Sequence, residues 1–302
     1  MKDGKQKIIL DVDTGADDAL AILLAIFSGK FEILGITTVA GNTNVNQATI
    51  NTLRVLNLAE RLDTPVFKGN RRPLKGKGRR GRTQGKDGLC EVSLPMSDKR
   101  PEKVPAQNFI KEAVKKYSNE IEIVATGPLT NIAEVFKNYP QVRSKIKRIY
   151  IMGGAVERPG NITSFAEFNF FNDPEAVKIV FGSGVPIILV PLDVTMELLV
   201  PRDWLLEKYG SSQYPITKFI VEMVNNRKRL VGKDWFYLHD PLALGVAIDK
   251  SFVETRKENL SIITRGIKKG QVIKDSQGSE IEWAFGVKTQ KFLDYFGKLL
   301  LK

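Results

Sequence analysis

Short runs of aliphatic and β-branched residues alternate along most of this chain with segments of helical periodicity. The runs predict strands, and apolar residues that recur every three or four positions predict helices. Within 17–27, for example, Ala19, Ile22, Leu23 and Ile26 share one helix face. The predicted strands are 8–12, 31–39, 65–67, 121–126, 148–152 and 186–190, and the helices between or after them are 17–27, 47–62, 106–117, 131–136 and 174–181, the last with Asp173 as its N-cap.

This alternation, with its short connections, predicts an α/β fold: a single Rossmann-like domain over 1–302, with a largely parallel sheet flanked by helices. The C-terminal third is less regular and is expected to be mainly helical. No shift in composition marks a linker, and the sequence contains no internal repeat. In this third we predict helices at 204–209, 215–230, 241–248 and 289–301, and strands at 260–264 and 281–287.

Composition is that of an ordinary soluble protein, with 302 residues, 42% hydrophobic and 26% charged. No apolar run reaches the roughly 18 residues of a membrane span, and the polar first residues do not resemble a signal peptide. A single cysteine, Cys90, excludes an internal disulfide. We therefore expect a cytoplasmic protein without a membrane partner, and an inert Cys90 thiol that packs rather than reacts.

The formal net charge of +12 is concentrated in one segment, residues 71–86, which we call the basic loop. It has no acidic and no aromatic residue, and it accounts for eight of the twelve excess charges. Such a segment is typical of a solvated loop, so we do not expect a nucleic-acid partner, although attraction of an anionic ligand or RNA stays open. Its basic residues are Arg71, Arg72, Lys75, Lys77, Arg79, Arg80, Arg82 and Lys86.

Polar residues follow several predicted strands at the point where each strand ends. They include the segment 11–18, Asn42, Thr126 and the Met152-Gly153-Gly154 turn. Ligands of open parallel sheets bind outside the carboxyl ends of the strands. Segments that are distant in sequence should therefore meet at one edge of the sheet.

The segment after the first strand carries four aspartates, Asp11, Asp13, Asp17 and Asp18. One interpretation is helix capping, with Thr14 as the N-cap and Asp17 completing a capping box. Capping accounts for one or two acids, whereas four neighbouring carboxylates repel one another unless a cation neutralises them. We therefore predict a metal site, and donors that are all oxygen favour Ca²⁺ or Mg²⁺.

These aspartates also open a series of motifs that resembles the inosine–uridine-preferring nucleoside hydrolase family. The first motif is Asp11-Val-Asp13-Thr-Gly15-Ala-Asp17-Asp18, and the series continues in the same order as far as about residue 248. The later motifs are Val39-Ala-Gly41-Asn42, Thr126-Gly-Pro-Leu-Thr-Asn131, Met152-Gly-Gly-Ala155, Gly160-Asn161, Ala166-Glu-Phe-Asn169, Asp173-Pro-Glu-Ala176 and His239-Asp240-Pro241.

The resemblance implies an enzyme that hydrolyses the N-glycosidic bond of ribonucleosides, with one Ca²⁺ per chain. The metal would be held by Asp13, Asp18, the Thr126 carbonyl and Asp240, and Asp13 would also be the general base. Asp11 would support the site without binding the metal. Further implied substrate contacts are Asp17 and Asn169 at the ribose hydroxyls, Asn161 and Glu167 elsewhere on the sugar, and Asn42 and Met152 in the pocket. The resemblance also implies a homodimer or homotetramer.

The residue types suit this chemistry. Cleavage of an N-glycosidic bond builds positive charge on the ribose, which an anionic pocket stabilises. A bound Ca²⁺ lowers the pKa of its water, so that a carboxylate can deprotonate it.

The nucleobase side is less settled. His239, the only histidine, matches a position that contacts the base and is expected to protonate the leaving group. Many relatives carry a histidine where this chain has Gln84, which puts a pyrimidine preference in doubt. Gln84 could hydrogen-bond a base but cannot act as an acid. We expect the basic loop to approach the pocket, either as a mobile lid or as a plain exposed loop.

Two other functions fit parts of the sequence. A haloacid-dehalogenase-like phosphatase would use a strand-end Asp-x-Asp-x-Thr, but Thr14 falls one position early. A non-catalytic RNA- or anion-binding protein would use the basic loop, and it leaves the ordered polar motifs unexplained.

Overall fold

The alternation of strands and helices builds a central sheet with helices on both faces. The computed structural model describes residues 4–81 and 83–301. The strands are β1 (Gln6–Val12), β2 (Phe31–Thr38), β3 (Val66–Lys68), β4 (Ile121–Ala125), β5 (Arg148–Met152), β6 (Ile187–Val190), β7 (Leu199–Pro201), β8 (Trp235–Tyr237), β9 (Val253–Ile262), β10 (Val272–Lys274) and β11 (Ser279–Val287). The helices are α1 (Ala16–Ser28), α2 (Val45–Leu58), α3 (Ala106–Lys116), α4 (Thr130–Asn138), α5 (Phe168–Asn172), α6 (Pro174–Phe181), α7 (Leu192–Thr195), α8 (Arg202–Tyr209), α9 (Pro215–Val231), α10 (His239–Ile248) and α11 (Thr289–Leu300), with short 3₁₀ helices at Pro140–Lys145 and Lys250–Phe252.

Nine of these strands form one sheet in the order β10-β9-β11-β6-β5-β4-β1-β2-β3. The pairs from β3 to β6 are all parallel, and β11 also joins β6 in parallel. The prediction of a largely parallel sheet is therefore confirmed. Because the carboxyl ends of the parallel strands lie at the same edge, the segments that follow β1, β2, β4 and β5 are neighbours.

The C-terminal third contributes more sheet than its sequence predicted. The expected strand at 260–264 is only the end of β9, which begins at Val253 and pairs antiparallel with β10 and β11. Seven of the ten residues of its sequence, VETRKENLSI, are polar or charged, because only two of the ten are buried. Strands that are not buried on both faces do not show the continuous apolar run that identified the others.

Two hydrophobic clusters lie on opposite faces of the sheet. Along β1, Ile8 and Leu10 belong to one cluster and Ile9 belongs to the other, as the alternation of side chains in a strand requires. Residues of α1, α10 and α11 complete the first cluster, and residues of α3, α4 and α6 complete the second. Helices packed on both faces thereby hold the strands of the sheet, and their carboxyl ends, in place. No helix in the described part of the chain is long and apolar enough to cross a membrane.

Candidate active site

A cavity of about 930 Å³ lies at the carboxyl edge of the sheet. The predicted convergence of distant segments is confirmed, because its lining comes from segments after β1, β2, β4, β5 and β8. Of the residues singled out from the sequence, Asp17, Asn42, Gln84, Thr126, Met152, Asn161, Glu167, Asn169, His239 and Asp240 all line this cavity.

Asp13 and Asp18 are buried behind this lining and are bonded to it. Asp13 Oδ2 accepts a hydrogen bond from the Asn42 backbone at 2.5 Å, and Asp18 Oδ1 accepts one from the Thr126 hydroxyl at 2.7 Å. Asp18 Oδ1 also accepts the Asp13 backbone N–H at 3.3 Å. Asp13 Oδ1 is buried and has no hydrogen-bond donor among the described residues. This oxygen is therefore available to a ligand.

Helix capping uses a different aspartate from the one expected. Gly15, not Thr14, is the N-cap of α1, and its N–H donates to Asp18 Oδ2 at 2.9 Å. The Thr14 hydroxyl instead pairs with Thr52 Oγ1 at 2.7 Å. The interpretation of Thr14 and Asp17 as the capping pair was wrong, because both side chains are hydrogen-bonded to distant parts of the chain instead.

Asp17 links the two ends of the chain. Its Oδ2 accepts the backbone N–H groups of His239 at 3.1 Å and Asp240 at 3.4 Å, at the start of α10. A carboxylate at a helix N-terminus satisfies otherwise unpaired N–H groups. This contact brings Asp240 to the aspartates that follow β1.

Asp11 lies deeper in the sheet. Its Oδ1 accepts hydrogen bonds from the Thr37 hydroxyl at 2.6 Å and from Asn131 Nδ2 at 2.8 Å. Asn131 Oδ1 in turn accepts the Asn70 backbone N–H at 2.9 Å. Asp11 thus ties together β1, β2 and α4, while its supporting role stays a prediction.

The carboxylates in this region destabilise one another's charge. Burial raises the pKa of Asp13, Asp18 and Asp240, and the charge of Asp18 raises the pKa of Asp13 and Asp240 further. Burial and the charge of Asp18 raise the pKa of Asp17 to about 8. Only protonation or a nearby cation relieves this repulsion.

The carboxylate oxygens of this region suit a hard cation in their chemistry and in their charge. Asp13 Oδ1 and Asp17 Oδ1 are buried without a donor, and oxygen ligands suit Ca²⁺. The carboxylates do not, however, form a closed cage: across residues 4–81 and 83–301, no group of three His, Cys, Asp or Glu side chains is placed to hold a metal ion. A cation would have to complete its coordination with other oxygens.

The opposite wall is built around Glu167 and Asn169. Glu167 is the N-cap of α5, and it accepts N–H groups of Asn169 at 2.8 Å and Gly154 at 2.9 Å. Burial raises the pKa of Glu167 to about 7. Asn169 Nδ2 donates to the carbonyls of Thr126 at 2.7 Å and Met152 at 3.3 Å.

Asn161 lies at the exposed side of this wall. Its Oδ1 accepts the backbone N–H of Phe168 at 2.9 Å, next to Glu167. The side chain is thereby held at the cavity, where its amide N–H₂ group can meet a ligand.

His239 faces the cavity from the start of α10, and its Nδ1 lies 2.7 Å from the Thr195 hydroxyl. Burial, together with the positive charges of Arg227 and Arg158, lowers the pKa of its imidazole to about 3. The ring is therefore neutral near pH 7. This disfavours the expected role of His239 as a proton donor to the leaving base.

Sequence reasoning missed Arg227, which lines the cavity from α9. Its Nε is buried without a hydrogen-bond partner among the described residues. The sequence offered no distinguishing signal, because Lys228 and Arg229 follow it in the same amphipathic helix. It also missed Tyr237, whose ring centroid lies 5.3 Å from that of His239.

The basic loop approaches the pocket as expected, and Arg79, Arg80, Gly81 and Gln84 line the cavity. Gln84 Oε1 accepts the Ala16 N–H at 2.9 Å, which joins the loop to the first residue of α1. Arg82 lies outside the described residues. Whether the loop moves as a lid stays a prediction.

Cys90 follows this loop and also borders the cavity. Its side chain is buried, and burial raises the pKa of its thiol to about 11. A thiol that stays protonated at neutral pH is a poor nucleophile, which agrees with the inert role predicted for it.

Comparison with known proteins identifies the family. Residues 8–294 match the family described as inosine-uridine preferring nucleoside hydrolase. Uridine nucleosidase 1 of Arabidopsis thaliana is 35% identical, and the match covers 98% of this chain and 94% of that protein. The pyrimidine-specific ribonucleoside hydrolase RihA of Shewanella sp. strain ANA-3 is 33% identical over 95% of this chain and 93% of its own length.

Comparison with solved structures points to the same family. A plant nucleoside hydrolase superposes with a TM-score of 0.92 at 29% identity, covering 99% of both chains. A purine-preferring ribonucleoside hydrolase from Gardnerella vaginalis superposes with a TM-score of 0.91 at 32% identity, covering 98% of both. The names of these relatives differ in the base that they prefer, but the family is common to them. The chain belongs to the inosine–uridine preferring nucleoside hydrolase family.

Proposed function

We propose that this protein hydrolyses the N-glycosidic bond of ribonucleosides to a free base and ribose, with Asp13 as the general base and Ca²⁺ as its metal. As a member of its family, the chain is a ribonucleoside hydrolase. The observation that carries the finer mechanism is the unpaired, buried Asp13 Oδ1 among carboxylates whose charges are not compensated.

Asp13, Asp18, Asp240 and the Thr126 carbonyl are the oxygen ligands that we propose for Ca²⁺. Because these carboxylates are not grouped around one point in the described residues, they would have to move closer together to hold the ion. When bound, the ion would supply positive charge that lowers the pKa of water and attracts the ribose hydroxyls. The same charge would relieve the repulsion by Asp18 that raises the pKa values of Asp13 and Asp240. Asn169, whose amide bonds to the Thr126 carbonyl, would keep that oxygen turned toward the site.

Asp13 would take the proton of the attacking water on its free Oδ1. The other oxygen is fixed by the Asn42 N–H at 2.5 Å, so the carboxylate is held in one orientation. A base that is already oriented loses little entropy when it reacts. Asp11 would act through position, because its Oδ1 is bonded to Thr37 and Asn131 within the sheet, while its buried Oδ2 has no donor among the described residues.

The cavity walls would bind the sugar. Asp17 and Asn169 would contact ribose hydroxyls, and Asn161 and Glu167 would hold the rest of the ring, with Asn42 and Met152 completing the pocket. Positive charge that develops on the ribose would lie among carboxylates, which favour the transition state over the neutral substrate.

The base would lie near His239 and Gln84. Because the imidazole is neutral, we propose that His239 contacts the base, and we keep proton donation as the hypothesis that requires testing. The measurement is the pH profile of His239→Ala on purine and pyrimidine nucleosides. Profiles identical to those of the unmodified protein would remove the donor role.

The decisive experiment is a panel of inosine, adenosine, guanosine, uridine and cytidine assayed for free ribose, with and without calcium chelation. We expect ribose release that chelation abolishes and added Ca²⁺ restores. Ribose release that chelation leaves unchanged would contradict the metal, and no release from any nucleoside would contradict the function.

The phosphatase interpretation has lost its support, because the aspartate segment belongs to a nucleoside hydrolase motif series within residues 8–294. Hydrolysis of p-nitrophenyl phosphate would revive it. A cytoplasmic location and a homodimer or homotetramer stay proposals, and light scattering tests the assembly.

A further inference from the structure

A second cavity, of about 320 Å³, lies beside the first, and Arg79 and Arg80 line both. It lies between the basic loop, the start of α2 and the end of α5. Five cationic side chains line it, and its described lining includes no acidic residue. These five are Arg71, Arg72, Lys77, Arg79 and Arg80.

The charges of this second cavity are not neutralised by the protein. Among the described acidic residues, none forms an ion pair with any of the five; the loop's ion pair joins Lys75 to Glu175 at 3.9 Å, and Lys75 does not line the cavity. Arg79 stacks on the Phe171 ring at 4.9 Å, which positions its guanidinium without removing its charge. A concave group of unpaired cations attracts an anion.

Asn172, at the end of α5, points independently to a ligand that accepts hydrogen bonds. Its side chain is only 3% exposed and lines the second cavity. Its Oδ1 accepts the Arg79 backbone N–H at 2.6 Å, whereas its Nδ2 is buried with no partner among the described residues. A buried donor without an acceptor is costly, and a bound acceptor would remove that cost.

The start of α2 adds further donors. Thr43 and the N-cap Asn44 lie in the lining, and the first N–H groups of a helix carry partial positive charge. Together with the guanidinium groups of the loop, this surface offers N–H donors from several directions. Tetrahedral oxyanions match that arrangement, and arginine binds phosphate with two parallel hydrogen bonds.

We propose that the second cavity binds the phosphate group of a small molecule. A volume of about 320 Å³ is that of a small-ligand pocket, and the described lining has no aromatic side chain on which a nucleic-acid base could stack. The phosphate comes either as free phosphate or as part of a nucleotide that reaches through Arg79 and Arg80 into the neighbouring cavity. This proposal does not depend on the hydrolysis of nucleosides.

The test is calorimetric titration of the full-length protein with inorganic phosphate and with uridine 5′-monophosphate, at constant ionic strength. Asn172→Asp keeps the acceptor for the Arg79 N–H but replaces the free donor with a negative charge, so we expect binding to be lost. Arg71→Ser with Arg72→Ser removes two exposed cations and should weaken binding by about ten-fold. The matched control is Arg100→Ser with Lys103→Ser, which removes the same charge from exposed positions elsewhere and should leave binding unchanged.

Equal affinities for the two ligands would support a site for free phosphate. Tighter binding of the monophosphate, reduced when uridine fills the first cavity under calcium chelation so that it is not hydrolysed, would support a nucleotide that spans both. Absence of binding by either ligand, or equal binding by the Asn172→Asp variant in its folded form, would overturn the proposal. So would an oligoribonucleotide that binds more tightly than both and shows the same dependence on Arg71 and Arg72.

Discussion

The buried aspartates and the basic loop place opposite charges on two sides of the same cavity, by different structural means. Asp11 lies in β1, Asp18 in α1 and Asp240 in α10, so regular elements of the core fix their positions. The basic loop contains no helix or strand in its described residues, and most of its cationic side chains are exposed. The net charge of +12 is therefore concentrated in an exposed loop, although two of its arginines, Arg79 and Arg80, also line the cavity that contains the carboxylates.

The free-energy cost of carrying charge also differs between the buried aspartates and the basic loop. Each buried carboxylate loses hydration, and this loss raises its pKa and makes the site strained unless a proton or cation is present. The exposed arginines keep their hydration and cost little. A single substitution among the buried aspartates should therefore change activity strongly. Substitutions in the basic loop should change function gradually, with the number of charges removed.

The largest expected effect follows Asp13→Asn. This substitution keeps the shape of the side chain but removes the proposed base, so kcat for ribose release should fall by roughly 10²- to 10⁴-fold. Because a repelling charge also disappears, the melting temperature of the metal-free protein should not fall. The matched control is Asp294→Asn on exposed α11, which should change neither quantity. Near-normal turnover in the Asp13→Asn protein would remove this residue from the mechanism.

The second prediction concerns pH and Glu167. Its folded pKa of about 7 lies above its ordinary value of 4.5, so the folded state binds its proton more tightly than the unfolded state. The resulting stability is fully present below pH 4.5 and is lost as the pH rises through 7, by about 3 kcal/mol.

Urea unfolding of the metal-depleted protein at pH 4.5 and pH 8 measures this loss. Glu167→Gln should reduce it, although Asp11 and Asp17, whose pKa values are raised in the same direction, keep part of it. Glu280→Gln, at an exposed position on β11, is the control. An unchanged pH slope in the Glu167→Gln protein would contradict the assignment.

The third prediction is stabilisation by calcium. A ligand that binds only the folded state at a hundred times its Kd raises the free energy of unfolding by about 2.7 kcal/mol. Scanning calorimetry of the metal-depleted protein with increasing Ca²⁺ measures it, and Asp18→Asn should reduce the shift while Asp294→Asn preserves it. A melting temperature that is independent of Ca²⁺ would leave the aspartates without their proposed ion.

The smallest expected effect tests the contact between the two regions. Gln84→Ala removes the acceptor for the Ala16 N–H and should cost about 1 kcal/mol. Because the lost contact joins the basic loop to α1, KM for nucleosides should rise several-fold while kcat changes little. Gln84→Glu retains an acceptor and should preserve the nucleoside KM better. Equal KM values in both variants would show that this hydrogen bond does not position the loop.

The sequence predicted those parts of the fold and site that depend on local order. The apolar runs of β1, β2, β4, β5 and β6 identified the parallel sheet, because strands buried on both faces must be apolar throughout. The motifs that resemble the family then identified the acidic residues of the cavity lining, Asp17, Glu167 and Asp240, and fewer than half of its residues in total. Most of these motifs follow strands of the parallel sheet, although His239 and Asp240 follow β8 of the two-stranded sheet.

Other features depended on contacts that have no local signature. β9 was only partly predicted, because a partly exposed antiparallel strand can carry mainly polar and charged residues. The role of Asp18 as the capping acid was assigned to Asp17, since the sequence does not show that Asp17 is bonded to the start of α10. Arg227 and the second cavity were not visible at all.

What the sequence determined by itself is the order of strands β1 to β6 and the chemical types gathered at one edge of the sheet, whereas β7, β8 and β10 were not predicted. Periodicity and motif spacing act within a few residues, so they are readable without a structure. Tertiary structure alone decided which buried polar atoms have hydrogen-bond partners, and it left Asp13 Oδ1 and Asn172 Nδ2 without one among the described residues. It also lowered the pKa of His239, so that the imidazole is neutral. Hydrogen bonding and desolvation depend on neighbours that are distant in the chain, such as Arg79 for Asn172, 93 residues away, and Thr195 for His239, 44 residues away. These neighbours are set only when the chain has folded.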